Sequence, residues 1–428
     1  MKNEKVKIIC CLIFLFGITL DGYSQTDVYL RIYTKTFQRL DIDVYPFTVE
    51  GGADGANTSE MITSVISNDL WMSGFFKVNV KSGTPSADAR TAAGNSRALA
   101  SISGKYQVSG TRITIQPHAL DLASGRTILK NDYYDAVTRQ RYILHKISDD
   151  IVYSLTGERG IARSKIAFVS EKRDNVKEIA IMDYDGQNAI ELTNNKSINL
   201  SPAWAPDGSK VCYTTFKDNN PDLYVVNLPT NSLSRLSNVQ GLNSAPAWSP
   251  DGSTIALTLT QDGNAEIYIL EVEKKKLRRL TYNNAIDSSP SWSPSNREMA
   301  FTSDRSGSPQ IYIMDSDGLS VRRLTFEGSY NDSPAWSPRG DKIVFVSRTA
   351  SGFDVYTIDV TGENLMRLTD SSGSNEDPCW SPNGFSLIFS STRNGRKAIY
   401  SMFWDGSDQK QITSGGSSYL PAWSPRIN

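Results

Sequence analysis

The chain is 428 residues long and carries 45 basic and 46 acidic side chains, so its formal net charge is −1. A chain of this length exceeds the size at which one hydrophobic core usually stops growing, which predicts at least two structural units. The balanced charge provides no global field that would attract a polyanion, so the composition argues against nucleic acid or an anionic membrane surface as a partner.

The first 24 residues have the pattern of an export signal. Three lysines precede an apolar run from Ile8 to Leu20, and small residues follow before Gln25. This run is short of the roughly 20 apolar residues that cross a membrane, so we predict a cleaved signal over residues 1–24 and no membrane span. The mature chain then keeps only Cys212 and Cys379, too few for a disulfide framework.

Residues 25–162 show no repeat and predict a separate α/β domain. Apolar periodicity predicts one helix from the N-cap Asn57 to Ser73, ended by Gly74, and a second from Ile143 to Leu155. Segments 42–49, 75–80, 105–116 and 126–137 have the β-branched and aromatic content of strands. Residues 26–40 precede the first predicted strand, and we predict an arm that can add to the sheet edge of another protein.

From residue 163 onward the sequence repeats. Six copies of a motif such as "PAWSPDG" have their first prolines at 202, 246, 290, 334, 378 and 421, a spacing of 44 or 43 residues. Each period also contains three further apolar stretches, the last ending near "RLT". Four short strands per period of this length are typical of a propeller blade, so we predict a six-bladed β-propeller over residues 163–428.

The ends of the repeat predict how the ring closes. The first strand set, from Lys165, lacks a preceding "PAWSP", and the last "PAWSP" lacks a following strand set. We therefore expect the end of the chain to complete the first blade. The motif tryptophans are predicted to wedge between adjacent blades, and both mature cysteines to occupy small buried positions.

Few residues favour catalysis or metal binding. The mature chain has two histidines, His118 and His145, and no G-x-S-x-G, H-E-x-x-H, paired C-x-x-C or phosphate loop. His145 is interpreted as a local hydrogen-bonding residue on the flank of its helix. The acidic turns at 183 and 315 lack the glutamate of a calcium loop. We predict no catalytic residue, no metal site and no cofactor.

One polar column recurs three residues before each blade proline. Sixfold repetition predicts a ring at one face of the disc, and the column comprises Asn199, Asn243, Asp287, Asn331, Asn375 and Ser418. Two interpretations stay open. The side chains either cap turns or, with their neighbours, form a face that binds a partner.

Three segments outside the repeat resemble the TolB family, periplasmic proteins of the Tol-Pal envelope system. They read "DVYPF" from residue 43, "ISNDLWMSGFFKV" from residue 66 and "HKISDDIVYSLTGERGIARSKIAFV" from residue 145. The resemblance covers the whole chain and implies a periplasmic, non-enzymatic adaptor. In the family, the propeller face binds the peptidoglycan-associated lipoprotein Pal, and the N-terminal arm binds the inner-membrane protein TolA. Both contacts serve outer-membrane integrity and constriction during division.

The resemblance also implies which loops contact Pal. The implied positions lie just before the blade prolines, where they coincide with the polar column found by repetition: Leu242, Asn243, Ser244, Ala245, Asp287, Ser288, Ser289, Asn331, Asp332, Asn375 and Glu376. The arm segment 30–47 matches the family less closely than the other segments. A second function of a different class stays open, namely a secreted propeller hydrolase or the regulatory fragment of a propeller peptidase.

Overall fold

A computed structural model describes residues 38–51, 57–84, 97–172, 175–370 and 373–427. The predicted export signal and nearly all of the predicted arm lie outside these residues. The described chain forms an α/β unit followed by a six-bladed propeller, which confirms the predicted fold class.

The α/β unit is one mixed sheet of seven strands packed against two helices. The strand order is β3-β1-β4-β5-β6, with β2 beside β4 and β7 beside β5. The bounds are β1 Leu40–Val44, β2 Thr48–Val49, α1 Thr58–Met72, β3 Phe76–Val80, β4 Ala100–Ser109, β5 Arg112–Asp121, β6 Thr127–Lys130, β7 Tyr133–Ala136 and α2 Gln140–Thr156.

Both predicted helices are present, and glycines end them as expected. Gly157 has φ +74° at the end of α2, a left-handed conformation that glycine adopts without steric cost. Asn57 does precede α1, but it has φ +56° and its side chain makes no capping hydrogen bond. The predicted position is therefore confirmed and the predicted capping contact is wrong.

The propeller consists of six antiparallel four-stranded sheets. Blade 1 contains β8 Lys165–Glu171, β9 Lys177–Asp183 and β10 Ile190–Glu191. Blade 2 contains β11 Asn199–Trp204, β12 Lys210–Thr215, β13 Asp222–Asn227 and β14 Ser232–Ser237. Blade 3 contains β15 Asn243–Trp248, β16 Thr254–Leu259, β17 Glu266–Glu271 and β18 Lys276–Arg279. Blade 4 contains β19 Asp287–Trp292, β20 Glu298–Ser303, β21 Gln310–Asp315 and β22 Arg322–Arg323. Blade 5 contains β23 Asn331–Trp336, β24 Lys342–Thr349, β25 Gly352–Asp359 and β26 Met366–Arg367. Blade 6 contains β27 Asn375–Trp380, β28 Ser386–Ser391, β29 Ala398–Phe403 and β30 Lys410–Gln411.

The last strand closes the ring as predicted. β31, Ser417–Trp423, pairs antiparallel with β8 and supplies the fourth strand of blade 1. β31 and its five equivalents, β11, β15, β19, β23 and β27, contact one another in turn around the disc. These six inner strands therefore surround the propeller axis.

The motif tryptophans join neighbouring blades. The indole N–H of Trp292 donates to the carbonyl of Ala247 at 3.1 Å, and that of Trp380 donates to the carbonyl of Ala335 at 3.0 Å. Trp248 instead donates to the sulfur of Cys212, which is fully buried. Burial raises the pKa of the Cys212 thiol to about 12, consistent with an unreactive side chain that serves packing.

The α/β unit sits on one face of the disc, at blades 1 and 6. Asn383, in the turn after Trp380, donates to the carbonyl of Ser73 at 2.9 Å, and Phe75 packs edge-on against Phe385. These contacts involve turns at the tryptophan ends of the inner strands. We call this the domain face, and the opposite side, where the loops lead into the inner strands, the loop face.

Candidate binding face of the propeller

Five members of the polar column start an inner strand at the loop face, and Ser418 is the second residue of β31, but these side chains lie inside the protein. Asn199, Asn243, Asp287, Asn331 and Asn375 each have an exposed fraction of 0%. The predicted ring at one face of the disc is therefore present, but these five side chains are buried within it. Their contacts agree with the alternative interpretation, in which the column caps the loops from within.

A repeated hydrogen-bond network explains why the column is polar. In blade 5, the carboxylate of Asp354 accepts from Asn375 at 2.9 Å and from the hydroxyl of Thr369 at 2.7 Å. Glu178 occupies the same position beside Asn199 and Thr193, and Gln310 occupies it in blade 4. Buried polar groups must find partners, so blades 1, 4 and 5 each join three side chains: the threonine two residues after the fourth strand, an acidic or amide residue near the start of the third strand, and the column residue of the next blade.

Asp287 is the one acidic member of the column and needs a different partner. It cannot donate to Glu266 as an asparagine would, since both are carboxylates. Instead its carboxylate accepts from Arg305 at 2.9 Å and from Asn283 at 2.7 Å. The arginine supplies the compensating charge that a buried carboxylate requires.

The network predicts that a column substitution lowers stability. Asn375→Ala removes the donor to Asp354 and the acceptor of Arg393, whose guanidinium lies 2.9 Å from the Asn375 carbonyl oxygen. We expect the free energy of unfolding to fall by about 1–3 kcal/mol, because buried polar groups lose a partner. Glu376→Ala, at the half-buried neighbouring position, is the control and should change it by about 0.5 kcal/mol or less. Chemical denaturation measures both, and equal effects would contradict the capping role.

A second sixfold feature was not anticipated from the sequence. The residue before each blade proline has a positive φ between 48° and 54°, and each lies in an irregularity of the pairing between the inner strand and its neighbour: Ser201, Ala245, Ser289, Ser333, Asp377 and Leu420. This conformation is uncommon for residues other than glycine, and bulges re-aim side chains and recur next to binding sites. Sequence indicates only that a residue before proline avoids the right-handed helical region.

The neighbours of the column provide the accessible part of this face. The predicted positions that remain half-buried are Leu242, Ser244, Ala245, Ser288, Ser289, Asp332 and Glu376. Asp332 accepts from Thr302 at 2.8 Å, and Glu376 accepts from Lys397 at 3.3 Å. Burial raises the pKa of Asp377, next to Glu376, and the charge of Glu376 acts in the same direction. Within the described ranges, no group of three or more His, Cys, Asp or Glu side chains could hold a metal ion.

Sequence reasoning missed three exposed apolar side chains on the same loops. Tyr282, Ile286 and Phe326 are 73%, 53% and 75% exposed. Arg279 lies over the ring of Tyr282 at 4.7 Å, and Arg323 lies over that of Phe326 at 4.9 Å. Tyr282 and Phe326 directly follow the threonine of "RLT" in consecutive blades. The residue at this position is polar in the other four blades. The two aromatic residues were therefore the signal by which the sequence could have indicated this exposed patch.

His145 does not hydrogen-bond locally, which corrects that interpretation. It is buried where α2 meets α1 and blade 1, and its Nδ1 lies 2.8 Å from the carboxylate of Asp69. The other oxygen of Asp69 accepts from the hydroxyl of Tyr184 at 2.6 Å. Nε2 of His145 is buried without a hydrogen-bond partner in the part of the chain that the structure describes. Hence no described serine hydroxyl is placed for activation by this histidine.

Fold and face together define a class of protein in which an α/β domain covers part of one face of a six-bladed propeller, and the described residues of that domain do not reach the other face. The profile described as "TolB beta propeller domain" matches residues 152–427, and that described as "TolB amino-terminal domain" matches residues 28–128. This chain belongs to the TolB family.

Individual relatives agree with this assignment. The chain is 39% identical over 221 residues to the Tol-Pal system protein TolB of Geobacter sulfurreducens, covering 49% of this chain and 50% of that protein. It is 34% identical over 239 residues to the TolB homolog of Chlorobaculum tepidum, covering 52% and 53% respectively. The matches therefore span about half the length of these relatives.

The solved structure of TolB from Acinetobacter baumannii has the same architecture over nearly the whole chain. It superposes with a TM-score of 0.80 at 28% identity, covering 91% of this chain and 97% of that one. Among the described residues, no helix combines the length and apolar character needed to cross a membrane.

Proposed function

We propose that this chain is a non-enzymatic periplasmic adaptor of the Tol-Pal envelope complex, and that its loop face binds a Pal-like peptidoglycan-associated lipoprotein. The observation that carries this proposal is the position of the α/β unit on the domain face, so that its described residues leave the loop face accessible. The relative from Geobacter sulfurreducens is a Tol-Pal system protein, which supports envelope membership. The role extends to outer-membrane integrity and constriction during division.

The composition of the loop face favours a protein partner. Interface hot spots are enriched in tyrosine, other aromatic residues and arginine, and Tyr282 and Phe326 are exposed beneath arginines on adjacent blades. The half-buried neighbours of the column, including Asp332 and Glu376, supply hydrogen-bonding groups closer to the axis. A rigid disc with such loops presents a preformed surface, so little conformational entropy is lost on binding.

The N-terminal arm is proposed to bind a TolA-like inner-membrane protein. Residues 26–37 lie outside the described residues, so this contact is supported by the family resemblance. The base of the arm is anchored, because Arg39 pairs with Asp408 of blade 6 at 2.7 Å and lies 3.4 Å over the ring of Phe403. The base of the arm therefore lies at the domain face, on the opposite side of the disc from the loops proposed to bind the lipoprotein.

Substitutions at the exposed aromatics test the proposed interface. We expect Phe326→Ala and Tyr282→Ala each to weaken binding of the soluble domain of a peptidoglycan-associated lipoprotein about 10- to 30-fold. This corresponds to about 1.4–2 kcal/mol, as expected for truncating a hot-spot aromatic. Asp332→Lys should weaken binding further by placing a cation in the contact. Isothermal titration calorimetry measures each affinity.

Two control variants match these changes outside the proposed interface. Tyr134 on β7 is 63% exposed and lies beneath Arg112, as Tyr282 lies beneath Arg279. Leu319 is 66% exposed in a turn on the domain side of blade 4. Tyr134→Ala and Leu319→Ala should both bind as the unmodified protein does. The interface is wrongly placed if the controls lose affinity while the loop-face variants keep it.

A further inference from the structure

A cavity of about 320 Å³ lies where the two structural units join. It is bounded by the end of α2, by the connecting segment 157–164 and by the residues that follow β31. Arginines at three positions line it, namely Arg159, Arg163 and Arg426, together with the carboxylates of Asp149 and Asp150. The cavity opens on the domain face, away from the loops proposed to bind a lipoprotein.

The two carboxylates are already engaged by other groups. Asp149 accepts from Nε of Arg163 at 3.0 Å and from the backbone N–H of Ala162 at 2.8 Å. Asp150 accepts from the hydroxyl of Tyr133 at 2.7 Å. Arg163 and Asp149 therefore form a satisfied pair that belongs to the wall of the cavity.

The other two arginines have no such partner. Across the described ranges, neither Arg159 nor Arg426 makes a hydrogen bond or an ion pair, and Nε of Arg426 is buried without a partner. Burial lowers the pKa of Arg426; the charge of Arg159 adds to this shift, and the carboxylates of Glu158 and Asp149 oppose it. Two guanidinium groups of like charge thus share one cavity, an arrangement that an anion would stabilise.

We propose that this cavity binds a small oxyanion, a carboxylate or phosphate group, between the guanidinium groups of Arg426 and Arg159. A guanidinium presents paired N–H donors that match both groups in a bidentate geometry. The occupant would join segment 157–164 to the chain after β31, where the backbone N–H of Lys165 donates to the hydroxyl of Ser424 at 2.8 Å. Binding would therefore brace both the junction of the two units and the closure of the ring, independently of the proposed function.

Thermal unfolding and calorimetry of the full mature chain test this site. Sodium phosphate and sodium citrate are titrated separately in Tris-chloride buffer, with sodium chloride adjusted to keep the ionic strength constant. We expect a saturable rise in melting temperature and saturable binding heat, because a ligand of the folded state stabilises it. A response to phosphate alone assigns a phosphate site, and a response to citrate alone assigns a carboxylate site.

Arginine variants locate the effect. Arg426→Gln should weaken binding at least 10-fold, and Arg159→Gln, at an exposed position, tests the same site if the first variant fails to fold. Arg396→Gln, exposed in blade 6, is the control and should bind normally. Equal responses in all variants, a response that does not saturate, or no response to either anion would overturn the proposal. None of these outcomes affects lipoprotein binding at the loop face.

Discussion

Deleting residues 419–428 is expected to open the propeller. The cooperative thermal transition seen at the melting temperature of the intact protein should then be lost. The deletion removes the pairs Tyr419 with Val169 and Trp423 with Ile166, and with them the closing ladder of blade 1. It also removes the acceptor of Trp204, the carbonyl of Ala422. Loss of one core tryptophan alone costs about 3–5 kcal/mol, so the total is comparable with the 5–15 kcal/mol that stabilises a typical protein.

Adding the missing strand back distinguishes ring closure from a nonspecific effect of truncation. Differential scanning calorimetry compares the intact chain, the truncated chain, and the truncated chain with a peptide of residues 419–427. The native peptide should restore part of the melting temperature, whereas a scrambled peptide of the same composition should not. The truncated chain should also aggregate, because the edge of β8 is left unpaired. A truncated chain that melts like the intact one would show that closure contributes little.

Replacing Asp69 with alanine is expected to lower the free energy of unfolding by about 3–5 kcal/mol. The side chain is buried at the junction of the α/β unit and the propeller, where it bonds both His145 and Tyr184. Removing one member of a buried ion pair leaves the other without compensation, which is more costly than losing the pair as a whole. Urea denaturation measures the change. Asp317→Ala, at a largely exposed carboxylate, is the matched control and should have little effect.

The same site predicts a pH dependence with a definite sign. Burial disfavours the charged form of His145, but the carboxylate of Asp69 outweighs this, so the pKa of His145 is raised above 6.5; Asp185 adds to the rise and Arg141 opposes it. The stabilising contribution of the imidazolium is therefore complete below about pH 6.5 and is lost as the pH rises through the folded-state pKa.

The variant Asp69→Asn isolates this charge effect because it keeps the size of the side chain. The stability difference between the intact protein and Asp69→Asn should be larger at about pH 6 than at about pH 9. A pH-independent difference would indicate that His145 stays neutral in the folded protein. The difference would then reflect hydrogen bonding and packing alone.

Much of the architecture could be read from the spacing of residues. The six tryptophan motifs indicated six blades, and the unequal ends of the repeat indicated that the last strand would join β8. Helix α2 was predicted from apolar residues at intervals of four and from Gly157. These predictions succeeded because strand and helix periodicity, turn residues and repeat length are local properties of the chain.

The role of the polar column depended on tertiary contacts. Its sixfold recurrence was equally compatible with a buried cap and with an exposed ring, since both require a polar residue at the same place in each blade. The partners that decide the matter, such as Glu178 for Asn199 and Asp354 for Asn375, lie 21 residues earlier in the chain. Only the folded blade shows that these side chains meet and that water is excluded from them.

The sequence by itself determined the export signal pattern, the number of blades, the order of the two units and the resemblance to the TolB family. Tertiary structure alone decided that the α/β unit lies on the domain face at blades 1 and 6, that His145 pairs with Asp69 across the junction, and that Tyr282 and Phe326 stay exposed. The physical reason is the range of the interactions. Periodicity reports which residues leave water within one element, whereas burial of a particular side chain depends on elements far away in the sequence.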